Sequence, residues 1–499
     1  MESLLSLFVV VPLLAGAAAA ILPWRWARDT LHIAVPALSA VAGGLVFAHT
    51  AANGTIAHNI GLFPGGVAIP FAADAFTGVM LVTTGLVAAT ANWFATANGD
   101  TRSQFYPALS QILITGVNGA LLTADLFNFF VFIEVMLLPS YGLIAMTGTW
   151  SRLASARMFV VINLAASTML VVGVAFVYSQ AGTVNIAALG GAAAGGGPVT
   201  VAMGLVIIAV AAKAGVFPVH TWLPRTYPGT SAAVMGLFSA LHTKVAVYML
   251  FRIYTTIFDL DDRWNTLIVV VMVASMLVGS LAGLAENSIR RVIAYQMVNG
   301  MPFILVVLAF TSGNERHALA AGVLYMVHHM VTVGGLILAS GAIEETYGTG
   351  LIKRLSGLMR REPLIAAIVA AGSFSVVGLP PFSGLWGKVL VVGAVAEEAS
   401  WRSWLVIVVI VVASFAALLA MLRVWRKAFW GHPMQDVPEN LRIKTRLIWP
   451  SLVLIAVSAG MFVFAGPLVE ALLTATDGLL DTANYVSAVL GDSAAMGGA

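Results

Sequence analysis

The sequence predicts an all-α polytopic membrane protein of about fourteen transmembrane helices, and three observations predict it. Hydrophobic residues make up 60% of the 499-residue chain and charged residues only 9%, where a soluble domain carries about a quarter charged residues. Apolar runs long enough to cross a bilayer recur along the whole chain. The lysines and arginines between those runs alternate in number from one loop to the next, as the orientation rule for membrane helices requires.

The first run, 3–22, follows an acid, Glu2, and the first positive residues, Arg25 and Arg28, come after it. That order reads as a true span with its N-terminus outside, and not as a secretory signal. Further spans are expected at 31–50, 73–95, 106–124, 126–146, 157–180 and 200–218. Thr123-Ala124-Asp125 separates the fourth from the fifth. The glycines from Gly190-Gly191 to Gly195-Gly196-Gly197, between the sixth and seventh, read as a flexible loop. The remaining spans are expected at 229–257, 265–284, 291–311, 317–343, 364–395, 403–425 and 447–471.

With these limits, 18 of the 25 lysines and arginines fall in odd-numbered loops and four (Arg252, Arg263, Arg316 and Arg402) in even-numbered loops or their flanks. A missed or invented span would scramble the alternation beyond it, so the split supports the assignment with both termini outside. Three lysines remain, Lys213, Lys244 and Lys388, and all lie inside spans. Among the 22 acids, Glu134 alone sits near the middle of a span, eight residues or about 12 Å of helix into the fifth.

A charge at the bilayer centre costs at least about 2.5–3.5 kcal/mol, so such residues face a bundle interior or wet cavity and mark ion pathways. Burial disfavours the charged form of an ionisable group and an opposite charge restores it. A buried Lys–Glu pair can therefore exchange a proton when a third charge approaches. One such pair can also be a clamp between helices. Three lysines on three helices with a single acid are harder to read that way.

Two spans are interrupted beside these lysines. The seventh reads Ala212-Lys213-Ala214-Gly215-Val216-Phe217-Pro218-Val219-His220, and the twelfth Gly378-Leu379-Pro380-Pro381-Phe382-Ser383-Gly384-Leu385-Trp386-Gly387-Lys388. Proline removes a helix hydrogen bond and glycine loosens the backbone, so both helices are expected to break, at Pro218 and at Pro380-Pro381. A single proline kink carries little information; paired interruptions in two halves point to a transport site. Histidines add possible relay groups, since imidazole passes protons near neutral pH. These are His220 and His242 near the first two lysines, and His328-His329 in the eleventh span. His32, His49, His58 and His432 lie near span ends and take no role, and the methionines and aromatics read as packing.

The chain has no cysteine, which excludes disulfides, thiolate metal sites and iron–sulfur clusters. It has no GxGxxG after a strand and no phosphate-binding GxxxxGK[ST]. No metal, nucleotide or redox cofactor is expected, and the driving energy is expected from an ion gradient or from partner subunits. A formal charge of +3, not gathered into a basic domain, gives no sign of nucleic-acid binding.

Five stretches carry a resemblance to a known family. They are Asp125-Leu126-Phe127-Asn128 through Glu134; Lys213 through Pro218-Val219-His220-Thr221-Trp222-Leu223-Pro224; His242-Thr243-Lys244 with Tyr248; Arg290-Arg291-Val292-Ile293-Ala294-Tyr295; and Gly378-Leu379-Pro380-Pro381-Phe382-Ser383-Gly384 through Lys388. Over nearly its whole length the chain resembles the antiporter-like proton-translocating membrane subunits. That family includes subunits of respiratory complex I, membrane-bound hydrogenases and Mrp multisubunit Na+/H+ antiporters. Arg225-Thr226-Tyr227 after Trp-Leu-Pro, and the run from Asp125 to Glu134, look most like the D-type Mrp subunits. About 28 residues follow the last span, too few for the long lateral helix of one complex I subunit.

The resemblance implies two inverted five-helix repeats, spans 4–8 (106–257) and 9–13 (265–425), each with a broken helix. Peripheral helices (1–105) would precede them, and a loop, helix and short tail (426–499) would follow. It implies that Glu134 and Lys213 are the acid–lysine pair of a first half-channel, Lys244 the central lysine, and Lys388 the group of a second half-channel. Two positions depart from the family: Val333 stands where a lysine follows His329 by four residues, and Gln296-Met297 where two serines follow Ala294-Tyr295. The expected protein is then a proton-translocating subunit in the bacterial plasma membrane. It would work with other subunits of an antiporter complex and move H+ and Na+. The alternatives are a redox-driven proton-pumping subunit of a complex I-like or hydrogenase complex, and a scaffold subunit of such an assembly.

Overall fold

The computed structural model describes residues 1–63, 68–146, 149–434, 437–438 and 440–491. Residues 435–436 and 439 of the last loop, and 492–499 of the tail expected outside, lie beyond the described residues. The chain is almost wholly helical. In order come α1 (Leu7–Ile21), α2 (Arg25–Asn53), the short antiparallel strands β1 (Ile56–Asn59) and β2 (Pro70–Ala73), α3 (Ala75–Asn98), α4 (Phe105–Leu122), α5 (Leu126–Ala145) and α6 (Trp150–Ala181). Then follow α7 (Pro198–Ala214), α8 (Trp222–Thr226), α9 (Ala232–Ala240), α10 (His242–Arg252) with a π-turn over Ile253–Ile257, α11 (Asn265–Ala282), α12 (Ile289–Leu305) and α13 (Glu315–Tyr347). The chain closes with α14 (Leu358–Arg361), α15 (Pro363–Val377), α16 (Ser383–Glu397), α17 (Trp401–Val424), α18 (Thr445–Val463), α19 (Ala465–Leu480) and α20 (Thr482–Leu490).

Twelve helices among the described residues are long and apolar enough to cross a membrane, α9, α10 and the π-turn counting as one. Two shorter apolar helices, α7 and α15, are the leading halves of the interrupted spans. The thin boundary at Thr123-Ala124-Asp125 is pinned by hydrogen bonds. Asp125 caps α5 through Asn128 N at 2.7 Å, and Leu126 N donates to Val184 O at 2.9 Å.

Helix α13 is the central pillar. Its 33 residues are buried over the spanning stretch, and α3, α9, α12, α15, α16, α18 and α19 pack around it. A helix with no lipid-facing side needs no apolar stripe, which is why Thr332, His328 and His329 can sit in it. α1 and α2 lie outermost and face lipid on much of their surface. α3, which its place in the chain groups with the peripheral helices, is instead largely buried against α9, α13, α18 and α19.

Three details differ from what the sequence predicts. The last span ends at Val463, not near 471: the chain turns at Phe464, and α19 runs separately with its buried face on α3 and α13. The glycine-rich loop is docked, not flexible. Gly191 N and Ala193 N donate to Thr256 O and Ile257 O, the carbonyls of the π-turn, at 2.9 and 3.0 Å. Arg252 is not a flanking loop charge, since it lies buried inside its span.

Proline inside α2 illustrates how the bundle satisfies itself. Pro36 has no N–H to offer His32 O. The side chain of Asn92 on α3 donates to that carbonyl at 2.6 Å, tying α2 to its neighbour.

Candidate functional site

The first lysine sits at a helix break. α7 ends at Ala214; Gly215 follows at φ +74°, a conformation glycine adopts without penalty, and Val216 N closes the turn onto Ala211 O at 3.2 Å. Lys213 therefore occupies the last turn of α7, where the unpaired carbonyls favour a cation. Its Nζ donates to Ser167 Oγ of α6 at 2.8 Å and lies 3.5 Å from Asn163 O. Trp222 Nε1 takes the Ala212 carbonyl at 3.0 Å, so the indole holds the second half of the break against the first. The tip of the break, Phe217-Pro218-Val219, is exposed, and Ser275 Oγ accepts from Phe217 N at 2.9 Å. His220 is buried just behind it, its ring stacked on Phe217 at 5.9 Å.

The expected contact between Glu134 and Lys213 is not made. No ion pair joins them, and α6, not α5, presents the partner of the lysine. Glu134 is half-buried on α5, with Oε1 lacking any hydrogen-bond partner, and it acts on Lys213 only through space. His242 completes this group. Its Nε2 and Ser140 Oγ of α5 are 2.9 Å apart, and its ring stacks on Phe238 at 4.4 Å.

Lys244 lies deepest, fully buried two residues beyond His242. Its Nζ donates to Ser239 O at 3.1 Å and approaches Thr243 Oγ1 at 3.4 Å, both on its own segment. His329 of α13 is buried, with its Nε2 3.4 Å from Gln296 O of α12. His329 Nδ1, both side-chain polar atoms of Gln296 and Oδ1 of Asn299 are buried without hydrogen-bond partners. Unpaired buried polar atoms at this density call for ordered water.

The third lysine is also held at a break. α15 ends at Val377, Gly378 turns the chain at φ +92°, and α16 resumes at Ser383. Pro380 and Pro381 form the exposed tip. Lys388 Nζ donates to Val377 O, the last carbonyl of α15, at 2.7 Å and to Ser414 Oγ of α17 at 2.7 Å. It also lies 5.0 Å from the centre of the Phe303 ring.

Beside this break the structure assembles a cluster that sequence reasoning missed. His328 Nδ1 is 2.8 Å from Ser383 Oγ and 3.2 Å from Thr332 Oγ1. Ser458 of α18 is 2.9 Å from each of Thr332, Ser375 and Ser383. Four hydroxyls and an imidazole from α13, α15, α16 and α18 thus form one buried network next to Val333, which is itself buried and inert. The available signal was faint: single serines inside apolar runs, such as Ser458 and Ser167, are ordinary in membrane helices. Arg252 and Asp74 were also missed. They form a buried ion pair at 2.5 Å.

None of the three lysines has a carboxylate partner among the described residues: each donates to one hydroxyl and one backbone carbonyl oxygen. Such neutral acceptors hold an ammonium without committing it to a counter-charge, so gaining or losing the proton does not strand a buried carboxylate. A metal site finds no support: no group of three or more His, Asp or Glu among the described residues is placed to hold an ion.

Known proteins resemble this chain in sequence and fold. A family model described as "NADH:quinone oxidoreductase/Mrp antiporter, TM" matches residues 123–417. The D-type subunit of a Na+/H+ antiporter from Alkalihalophilus pseudofirmus is 31% identical over 446 residues, 88% of this chain and 89% of that one. A chain in the solved Mrp complex from a Dietzia species is 39% identical, with a TM-score of 0.94 over 98% of this chain and 99% of that chain. A chain of respiratory complex I from Thermus thermophilus superposes with a TM-score of 0.78 at 23% identity, over 98% of this chain and all of that one, a likeness of fold.

Proposed function

Given that the chain belongs to the NADH:quinone oxidoreductase/Mrp antiporter family of membrane subunits, within which its relatives are D-type subunits of Na+/H+ antiporters, we propose that it is the proton-translocating subunit of a multisubunit Na+/H+ antiporter. Protons would pass along Glu134, Lys213, Lys244, the His328-His329 region and Lys388, with His242 between the first two lysines and His220 at the first break. The observation that carries this reading is the state of the three buried lysines, each bonded to neutral oxygens and none to a carboxylate of the described residues.

The order follows from proximity. His242 stands two residues before Lys244 and reaches Ser140 of α5 at 2.9 Å, and His328, beside His329 on α13, is 2.8 Å from Ser383 of the helix that carries Lys388. Where Val333 replaces the family lysine, the Thr332–Ser375–Ser383–Ser458 network and water held by Gln296 and Asn299 would bridge Lys244 to Lys388. Hydroxyls suit that task, because each accepts and donates at once. Residues 106–257 and 265–425 would be the two inverted repeats, each supplying one lysine at a break. The complex would lie in the bacterial plasma membrane with both termini of this chain outside.

The test is sodium–proton exchange by the assembled complex in vesicles, comparing Glu134→Gln and Lys213→Ala with the unaltered protein at matched assembly. Both should lose most exchange. Intact exchange in both would sink the relay, and loss of assembly with normal flux per complex would leave a scaffold. Flux that needs a redox donor and no sodium gradient would favour a complex I-like pump.

A further inference from the structure

Helix α10 carries a polar stripe of which the relay uses only the first member. Lys244, Tyr248 and Arg252 follow one another at intervals of four, one face of a fully buried helix. The stripe leads from the central lysine to the end of the bundle that carries α20 and the β1–β2 hairpin, a rise of about 12 Å. At its end the Arg252 guanidinium meets Asp74, the N-cap of α3, at 2.5 Å.

The hydrogen bonds along this stripe have a direction. Asp74 Oδ1 accepts from Thr77 N at 2.8 Å and from Thr77 Oγ1 at 3.0 Å. The Thr77 hydroxyl has thus given its proton to the carboxylate, so across the 2.8 Å contact with Tyr248 it must accept, and Tyr248 donates. Tyr248 also accepts from Arg252 Nη2 at 3.4 Å. Lys244 Nζ is bonded to Ser239 O and Thr243 Oγ1 and not to Tyr248, so the first step needs an intervening water; a proton that reaches the Tyr248 oxygen that way displaces the phenol proton to Thr77, and the Thr77 proton to Asp74. The last step is the one Arg252 opposes. A proton on Asp74 would leave the guanidinium buried without its counter-charge, the most unfavourable arrangement of a buried ion pair.

Aromatic rings close over the pair, and Arg252 Nη1 is buried there without a hydrogen-bond partner. The guanidinium is covered by the Tyr485 ring at 4.8 Å and the Tyr248 ring at 5.7 Å, and Tyr248 is in turn stacked on Phe76 at 4.9 Å. α20, which supplies Tyr485, is fastened by Asn484, whose Oδ1 accepts from Thr55 N at 2.7 Å.

We propose that the Asp74–Arg252 pair, sealed by Tyr485, is a proton stop that prevents Lys244 from discharging through the α20 end of the bundle, so that protons leave only along the route to Lys388. The inference rests on the proposed relay through Lys244. An outlet at the same place would need Asp74 free to take and release the proton, which the ion pair forbids.

The experiment reads passive proton leak and sodium–proton exchange separately, in vesicles holding the assembled complex. Arg252→Gln frees Asp74 and should raise the leak several-fold above the unaltered complex. Asp74→Asn/Arg252→Gln removes the acceptor and should return the leak to background. Tyr248→Phe/Arg252→Gln breaks the chain of hydroxyls and should do the same. Lys244→Ala/Arg252→Gln should also be tight, because the leak starts at Lys244. Arg252→His provides a second single variant should the glutamine variant assemble poorly. A single variant that assembles without leaking overturns the stop. So does loss of exchange in the tight Asp74→Asn/Arg252→Gln complex, which would make the pair an outlet. Failure of both single variants to assemble, with the charge-free double variant assembling and exchanging normally, makes the pair a packing clamp and also overturns it. Normal exchange in Lys244→Ala alone would instead strike at the relay, leaving the leak of Arg252→Gln as an independent reading.

Discussion

Lys388 Nζ donates to the carbonyl of Val377, the last residue of the helix half that precedes the break, at 2.7 Å. The lysine comes from one half of the interrupted span and its acceptor from the other, so the break is what creates the site. A continuous helix would have given that carbonyl to a backbone N–H four residues on. Lys388→Ala should therefore lower exchange by about 100-fold or more, the scale of a lost proton-transfer group. Ser414→Ala, which removes the second acceptor, should cost roughly five-fold, as expected for about 1 kcal/mol of hydrogen bonding. Initial rates of sodium-driven proton uptake, scaled to assembled complex, check both.

Ser167 holds Lys213 where an acid was expected. Ser167→Ala should slow exchange, with a smaller loss than Lys213→Ala. Combined with Glu134→Gln its effect should be non-additive, because without Ser167 the through-space attraction of Glu134 becomes the main hold on the ammonium. Additive losses, measured as exchange rates of the two single variants and the double, would show that Ser167 and Glu134 act independently.

The Ser458 hydroxyl touches three others and no charged group. Ser458→Ala and Thr332→Val should each reduce exchange while Lys388 remains in place. The pair together should lose little more than either alone, as members of one network do. Full activity in both single variants would remove the network from the route past Val333.

Gly300 lets His329 into the interior. A Cβ there would overlap the His329 ring. Gly300→Ala should displace the imidazole from Gln296 and cut exchange strongly at normal assembly, and a structure of the variant would show the ring moved.

Asn92 supplies the donor that Pro36 cannot. Asn92→Leu should destabilise the protein by about 1–3 kcal/mol, the cost of a buried carbonyl left unpaired. Asn92→Leu/Pro36→Ala should recover part of that, since the backbone regains an N–H. Thermal unfolding of the complex in detergent, compared across the three proteins, would detect the change and its recovery.

Much of the candidate site was legible in the chain alone. Lys213, Lys244, Lys388 and Glu134 stood out because charge inside an apolar run is costly wherever the run packs. The two breaks stood out because proline and glycine act on their own backbone. Arg252 was hidden by its position near the end of a span, where an arginine ordinarily reaches water by snorkelling. Asp74 was hidden at the N-cap of α3, where an acid is an ordinary cap. Ser167, Ser375, Ser383 and Ser458 were invisible because a lone hydroxyl in a helix can satisfy itself on its own turn.

The sequence by itself determined the membrane class, the run of helices, the places where two of them break and the charged residues that must be hidden. All of these follow from local hydropathy and backbone chemistry, which act over a single turn or span. Tertiary structure decided the partnerships: Ser167 and not Glu134 beside Lys213, Val377 beside Lys388, Asp74 against Arg252, and Ser458 meeting Thr332 from 126 residues away. Those contacts depend on how each helix is rotated and shifted against its neighbours. Hydropathy leaves that setting open in an interior where nearly every face is buried, and only the packing of all the helices together fixes it.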